Sequence, residues 1–128
     1  MHLDVQTSPG EFLDKLTILE IKSERMTDAA KLANVCRELD LLRATWAASP
    51  LAARDVSVLV GELKQVNEAL WEIEDRIREH EAAKRFDAGF IELARSVYIT
   101  NDRRAAIKRE LNVALGSQLI EEKSYKAY

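Results

Sequence analysis

The sequence has little of what β-rich, disulfide-bonded or membrane-spanning proteins require. Its 128 residues include two prolines and four glycines, too few for the frequent turns of a β-sheet protein. A single cysteine, Cys36, excludes an intrachain disulfide, and its place on an apolar helical stripe favours a buried thiol. No apolar run approaches the roughly 20 residues that span a bilayer, and the first residues show no signal-sequence pattern. We therefore expect a cytoplasmic helical protein without membrane association.

The charge balance and the missing motifs narrow the function classes. Lys and Arg total 19 against 22 for Asp and Glu, a net charge of −3. A general nucleic-acid binder is normally basic, so the balance argues against a nucleic-acid partner. The sequence contains no glycine-rich phosphate loop, nucleophile elbow or dinucleotide fingerprint. It therefore predicts no cofactor and no metal site, and it leaves open whether the protein is an enzyme.

The first predicted helix has a clear start and two apolar faces. Ser8 can cap the helix, Pro9 suits its first position, and Glu11 completes a capping box. One face carries Phe12, Leu16, Leu19 and Met26. Ile18 and Ile21 lie on the opposite side, so two apolar faces of this helix must be buried against other parts of the protein. We expect its own chain to cover one face and a partner subunit the other, which makes a homodimer the expected assembly.

Three further helices follow from the spacing of apolar residues. The second ends near Ser49, and the third holds an apolar heptad stripe over about residues 56–80. The fourth covers 86–115, with Gly116 at the position that follows a helix end. A short break between the second and third helices predicts that these two form a long antiparallel, coiled-coil-like hairpin. The expected fold class is an all-α bundle of about four helices.

The whole chain, residues 1–128, is predicted to form a single helical domain. Residues 1–7 alternate apolar and polar side chains and are expected to be an extended lead. Residues 117–128 carry apolar and aromatic side chains among charged ones. That composition predicts a tail that docks back onto the bundle.

Three polar residues interrupt the apolar stripe of the fourth helix. Asn101, Arg104 and Lys108 are spaced at i, i+3 and i+7, so a continuous helix places them on one face. Burying unpaired cations costs much free energy, so these side chains need water, acidic partners or an anion. One interpretation is a phosphate or carboxylate site. The other is that the helix breaks at Thr100–Asn101 and the basic side chains are solvated.

Five stretches carry a resemblance to a known family. They are SPGEFLDKLTILEIK at 8–22, LWEIED at 70–75, ELARSVY at 92–98, NDRRA at 101–105 and EEKSY at 121–125. In this order they resemble a bacterial family of small all-helical proteins catalogued as a domain of unknown function. The resemblance implies no defined activity. Its members occur near genes for surface-polysaccharide assembly, which implies a sugar-nucleotide ligand or a protein partner in that assembly.

The resemblance and the polar interruption together yield a set of candidate ligand-binding residues. Most belong to the polar positions of the family motifs, which suit a shared site. The set is Asp14, Lys15, Lys22, Arg95, Tyr98, Asn101, Asp102, Arg103, Arg104 and Lys108. No catalytic residue is assigned.

Two functions of different classes remain open from the sequence. The preferred one is a non-catalytic interaction or adaptor protein that self-associates through its helices. The alternative is a small-molecule enzyme or binding protein for an anionic ligand such as phosphate, a sugar nucleotide or a carboxylate. A deep polar pocket would favour the alternative, whereas extended apolar surface would favour the adaptor.

Overall fold

A computed structural model describes all residues, 1–128, and consists of four α-helices without strands. The helices are α1 (Pro9–Arg25), α2 (Ala29–Ala48), α3 (Ser57–Ala82) and α4 (Ala88–Ala114), with a short 3-10 helix (Pro50–Ala53) between α2 and α3. The predicted all-α bundle is confirmed. None of these helices has both the length and the apolar character needed to cross a membrane.

The start of α1 follows the sequence signal, with one change. Ser8 caps the helix because its Oγ accepts a hydrogen bond from the backbone N–H of Glu11 at 3.2 Å, and Pro9 occupies the first turn. The predicted return bond of the capping box is replaced by another contact. The Glu11 carboxylate accepts a hydrogen bond from Lys108 Nζ at 2.7 Å. A residue predicted to act within α1 therefore joins α1 to α4.

Helix α1 lies at the centre of the bundle and packs against α2, α3 and α4. The buried apolar cluster is built around it and consists of Leu13, Leu16, Leu19, Leu39, Leu63, Val66, Ile107, Leu111 and Leu115. Burial of each such side chain stabilises the fold by roughly 1.5–3 kcal/mol relative to exposure. The core therefore fixes α1 against the three other helices.

The long hairpin is formed by α3 and α4, which are joined by a turn over residues 83–87. No Cα atom of α2 comes within 8 Å of a Cα atom of α3, so the predicted pairing of these two helices is wrong. Both bury their apolar stripes against α1, which lies between them. A heptad stripe shows which face of a helix is buried, but it does not show which helix covers it.

The second apolar face of α1 is covered within the chain. Ile21 is 1% exposed, and Ile18 is partly buried. Both line a groove whose other walls belong to α3 and α4. The reason for expecting a partner subunit on this face is therefore removed.

Helix α4 continues without interruption through Thr100 and Asn101, so the interpretation that the helix breaks there is wrong. These residues have only modest helix propensity, and packing against α1 and α3 outweighs it. The helix starts two residues later than predicted, with Asp87 Oδ1 accepting from the N–H of Phe90 at 3.1 Å. Gly116 follows its end with a φ of 66°, as the glycine signal predicted.

Cys36 is exposed on α2, so the prediction of a buried thiol is wrong. Helix α2 packs against α1 and the short 3-10 helix but against neither α3 nor α4. Only a narrow strip of α2 is therefore covered, with Leu39 as its one buried residue. Cys36 lies outside that strip.

Candidate functional site

The candidate site is a cavity of about 680 Å³ between α4 and the end of the chain, here called the cationic cavity. Its lining comprises Val97, Tyr98, Asn101, Asp102, Arg104, Ala105 and Lys108 of α4, and Lys123 with residues 125–128 from the segment that follows. The uninterrupted turns of α4 place Asn101, Arg104 and Lys108 on one face, as their spacing predicts. The cavity exists because residues 117–128 fold back along this face.

Most of the charged side chains that line the cavity are cations. Its lining includes the cations Arg104, Lys108, Lys123 and Lys126, against one acidic side chain, Asp102. The protein as a whole carries a net charge of −3, so this balance is local. Glu121 forms ion pairs with both Lys108 and Lys123, so Arg104 and Lys126 supply the positive charge that no ion pair compensates.

Lys108 forms the floor of the cavity and is largely removed from solvent. Its side chain is 11% exposed, and its Nζ lies 2.7 Å from Glu11, 3.2 Å from Glu121 and 3.8 Å from Asp14. Burial disfavours the charged ammonium, but the hydrogen bond to Glu11 and the charges of Asp14 and Glu11 outweigh it and raise the pKa of Lys108. Lys108 is therefore a charged structural link among α1, α4 and the last segment.

Arg104 and Lys126 differ from Lys108 because neither forms an ion pair. Arg104 is partly buried on α4, and it faces the cavity without a carboxylate partner. A guanidinium presents five N–H donors in a planar fork that matches a carboxylate or phosphate. The side chain best suited to hold an anion is therefore also the one left available.

Several contacts hold the last segment over α4. Tyr128 donates a hydrogen bond from its hydroxyl to Asp102 Oδ2 at 2.6 Å, which raises the pKa of Tyr128. The Tyr128 ring meets Tyr98 edge to face at a centroid distance of 5.1 Å. Arg109 donates to Glu122 at 3.0 Å. These exposed contacts position the outer wall of the cavity.

A buried polar network lies behind Lys108. The Asp14 side chain is 7% exposed and accepts a hydrogen bond from Asn67 Nδ2 at 2.9 Å. The same nitrogen donates to Thr17 Oγ1 at 3.1 Å, and Thr17 in turn donates to the backbone carbonyl of Asp14 at 2.9 Å. The network joins α1 to α3 and holds the carboxylate of Asp14 towards Lys108.

The structure brings together part of the predicted site. Half of the predicted residues line the cavity: Tyr98, Asn101, Asp102, Arg104 and Lys108. Asp14 lies behind Lys108, whereas Lys15 is exposed and pairs with Glu38 of α2 at 2.8 Å. Lys22, Arg95 and Arg103 also lie outside the cavity. Helices α1 and α4 turn these four cations towards other surfaces, and their ligand-binding role stays a prediction.

The last segment contributes to the site in a way that the sequence patterns did not predict. Residues 117–128 were predicted to dock on the bundle, but no ligand-binding role was predicted for Lys123, Tyr125 or Lys126, which line the cavity. The alternation of basic and aromatic residues at positions 123–128 was the available signal. This pattern indicates a ligand-binding role only in the structure, where the segment lies against Asn101, Arg104 and Lys108 of α4.

A comparison with protein families identifies the chain. The model of a family described as "Family of unknown function (DUF6165)" matches residues 3–128. The chain belongs to this family. The resemblance drawn from the five sequence stretches is thereby confirmed, and membership of the family brings no activity with it. No curated protein and no solved structure matches the chain.

The side chains that line the cationic cavity include several hydrogen-bond donors. No group of three or more His, Cys, Asp or Glu residues is arranged to hold a metal ion. The cavity offers guanidinium, ammonium, amide and phenol groups, which donate hydrogen bonds to anions.

Proposed function

We propose that this protein binds a small anionic ligand, a phosphate or carboxylate compound, in the cationic cavity. The observation that carries the proposal is Arg104, a partly buried guanidinium that faces the cavity and forms no ion pair. An arginine without a partner in a partly enclosed space gains from a bidentate anion more than an exposed arginine does.

The size and charge of the cavity support the proposal. A volume of about 680 Å³ falls within the roughly 300–1,000 Å³ of small-molecule sites. Lys108 is already engaged by Glu11 and Glu121, and Lys123 by Glu121, so Arg104 and Lys126 are the unpaired cations that a ligand meets. Tyr98 and Tyr125 supply hydroxyl and ring surface beside them. Binding, without a catalytic step, is what these groups support.

The proposal is tested by calorimetric titration of the protein with inorganic phosphate and with citrate. Arg104→Ala should weaken binding of these anions at least about tenfold, because a hydrogen bond to a charged group contributes roughly 1.5–3 kcal/mol. The matched control is Arg103→Ala, which removes the neighbouring arginine, an exposed side chain outside the cavity. Its affinity should equal that of the unaltered protein.

Two results would contradict anion binding at this cavity. One is the absence of any heat of binding with millimolar phosphate and citrate. The other is an equal loss of affinity in the Arg103 and Arg104 variants, which would show only a general charge effect. The free energy of unfolding of both variants should stay within about 0.5 kcal/mol of the unaltered protein, as for ordinary surface positions.

Self-association as an adaptor is the second candidate function. It is supported by apolar side chains that remain exposed on α4, with Ile91 at 57% and Ile99 at 40%. A second copy or a protein partner would cover them. Light scattering at tens of micromolar tests this candidate: a dimeric mass that Ile91→Glu lowers supports it, and a monomeric mass counts against it.

A further inference from the structure

The two unpaired cations of the cationic cavity belong to different walls. Arg104 lies on α4, whereas Lys126 belongs to residues 117–128, the last segment, which folds back over this helix. Neither side chain forms an ion pair. Because both line one cavity, a ligand that contacts both of them connects the last segment to α4.

The attachment of the last segment to α4 relies largely on exposed contacts. Glu121 pairs with the buried Lys108 at 3.2 Å. Arg109 and Glu122 pair at 3.0 Å, but both side chains are more than half exposed. Tyr128, which contacts α4 at the far end of the segment, is 78% exposed. Since exposed polar contacts stabilise a structure only slightly, an added link between the two walls would strengthen the attachment.

The cavity is larger than a single phosphate or carboxylate group requires. Its volume is about 680 Å³, whereas a water molecule takes about 30 Å³ of liquid volume and a phosphate group only a few times as much. One such group held at Arg104 would leave most of the space empty and Lys126 without a partner. A ligand with a second anionic group can use both cations.

Asp102 restricts where a second anionic group can lie. It is the one acidic side chain in the lining, and it accepts a hydrogen bond from the Tyr128 hydroxyl at 2.6 Å. Like charges repel, so an anionic group is disfavoured beside this carboxylate. Lys126 is exposed, and its flexible four-carbon stem lets the ammonium move towards a ligand. The favourable partner for the second group is therefore Lys126.

We propose that the ligand of the cationic cavity carries two anionic groups, as a diphosphate or a dicarboxylate does, and that it bridges α4 and the last segment. Arg104 holds one group and Lys126 holds the other. Such a ligand binds more tightly when the segment is attached, and by linkage it strengthens that attachment to the same degree. This inference rests on the proposed function, and it adds the class of the ligand and a coupling between binding and the segment.

The test is a calorimetric titration of the full chain with three compounds: inorganic phosphate, pyrophosphate and the longer tripolyphosphate. At least one of the two polyphosphates should bind about tenfold or more tightly than inorganic phosphate, because its second group gains a charge-assisted hydrogen bond. The polyphosphates also carry more charge than inorganic phosphate. Variants must therefore show which side chain provides the added affinity.

Lys126→Ala should remove most of the polyphosphate advantage and leave the affinity for inorganic phosphate essentially unchanged. Arg104→Ala should weaken the binding of all three compounds. The matched control is Arg103→Ala, which removes the same unit charge from an exposed position outside the cavity. It should preserve the advantage, so a difference between the Lys126 and Arg103 variants separates a specific contact from a general effect of charge.

Backbone NMR relaxation of residues 119–127 provides a second readout, the mobility of the last segment. The polyphosphate that binds more tightly should reduce this mobility at saturation. Inorganic phosphate, which has one anionic group, should reduce it much less. In the Lys126→Ala variant, the bound polyphosphate should leave the mobility as it is without ligand.

The outcomes separate this inference from the proposed function. If inorganic phosphate binds and neither polyphosphate binds more tightly, the two-group class is wrong and anion binding stands. The inference is also overturned if the advantage survives Lys126→Ala, or if a polyphosphate binds without ordering the segment. Equal ordering by inorganic phosphate would mean that one group reaches both cations, which contradicts the two-group class. If none of the three compounds binds, the proposed function itself fails.

Discussion

Gly10 and Asn112 hold the first turn of α1 against the end of α4. The backbone N–H of Gly10 donates to Asn112 Oδ1 at 2.7 Å, and Asn112 is 2% exposed. A Cβ atom at Gly10 would lie 2.5 Å from the backbone oxygen of Lys108 and 2.9 Å from Asn112 Oδ1. This close approach brings Glu11 within reach of Lys108 and so positions the floor of the cationic cavity.

Gly10→Ala should therefore destabilise the protein by roughly 1–3 kcal/mol, the range for overpacking in a filled core. The backbone oxygen of Lys108 cannot rotate away from the added methyl group. Gly61→Ala is the matched control, since nothing lies within 4 Å of a Cβ atom there. An exposed helical alanine should stabilise by about 0.5–1 kcal/mol. Urea unfolding measures both, and equal effects in the two variants would contradict the close approach.

Lys108→Met should cost about 3 kcal/mol of unfolding free energy. Removing one partner of a buried ion pair costs about 3–5 kcal/mol, and the lower end applies because Glu11 and Glu121 are about half exposed. Asp14, at 7% exposure, would lose the cation that faces it. Lys15→Met removes an exposed pair with Glu38 and should cost no more than about 1 kcal/mol. Similar losses in both variants would show that Lys108 is only a surface cation.

Attachment of residues 117–128 to α4 should depend on pH. Hydrogen bonds from Lys123 and Lys108, together with the charge of Lys108, lower the pKa of Glu121 from its usual 4.5. The part of this lowering that comes from Lys108 of α4 means that ionised Glu121 stabilises the attached segment above about pH 4.5, and this contribution is lost as the pH falls through the lowered value. Backbone NMR relaxation of residues 119–127 should show increasing mobility in that window.

The variant Glu121→Gln isolates this contribution from the neighbouring contacts Arg109–Glu122 and Tyr128–Asp102. It should make the segment more mobile at pH 7 and flatten the pH dependence. Circular dichroism recorded on the same samples must show intact helices throughout. A segment whose mobility does not change on acidification would contradict the role given to Glu121.

Cys36 should react with a thiol reagent such as Ellman's reagent in the native protein, because its side chain is exposed on α2. We expect one equivalent to react at a rate close to that of the unfolded chain. The helices should remain intact during the reaction, as circular dichroism can show. Protection of the thiol in the native protein would mean that a second copy or another molecule covers this side of α2.

The sequence was sufficient for the four helices and for most of their ends. Ser8 and Asp28 cap α1 and α2 through their own side chains, and Gly116 adopts the positive φ that its place after α4 predicted. These features depend on residues within one helical turn of one another, so local physical chemistry determines them. The polar stripe Asn101–Arg104–Lys108 is similarly a consequence of helical periodicity.

Pairing of the helices and completion of the site needed the tertiary structure. Apolar stripes specify which faces of the helices are buried, but not which helix covers each face. Both α2 and α3 pack against α1, and the tertiary packing decided that α3 forms its hairpin with α4. Lys108 and Arg104 are both cations on the same face of α4, and the sequence does not show which of them is paired. In the structure Glu11, 97 residues before Lys108, pairs with Lys108, whereas Arg104 has no ion-pair partner. The sequence by itself determined the helices, their caps and the basic stripe, because those depend on near neighbours. The tertiary structure decided which charges are paired and which space they enclose, because both depend on contacts between distant segments.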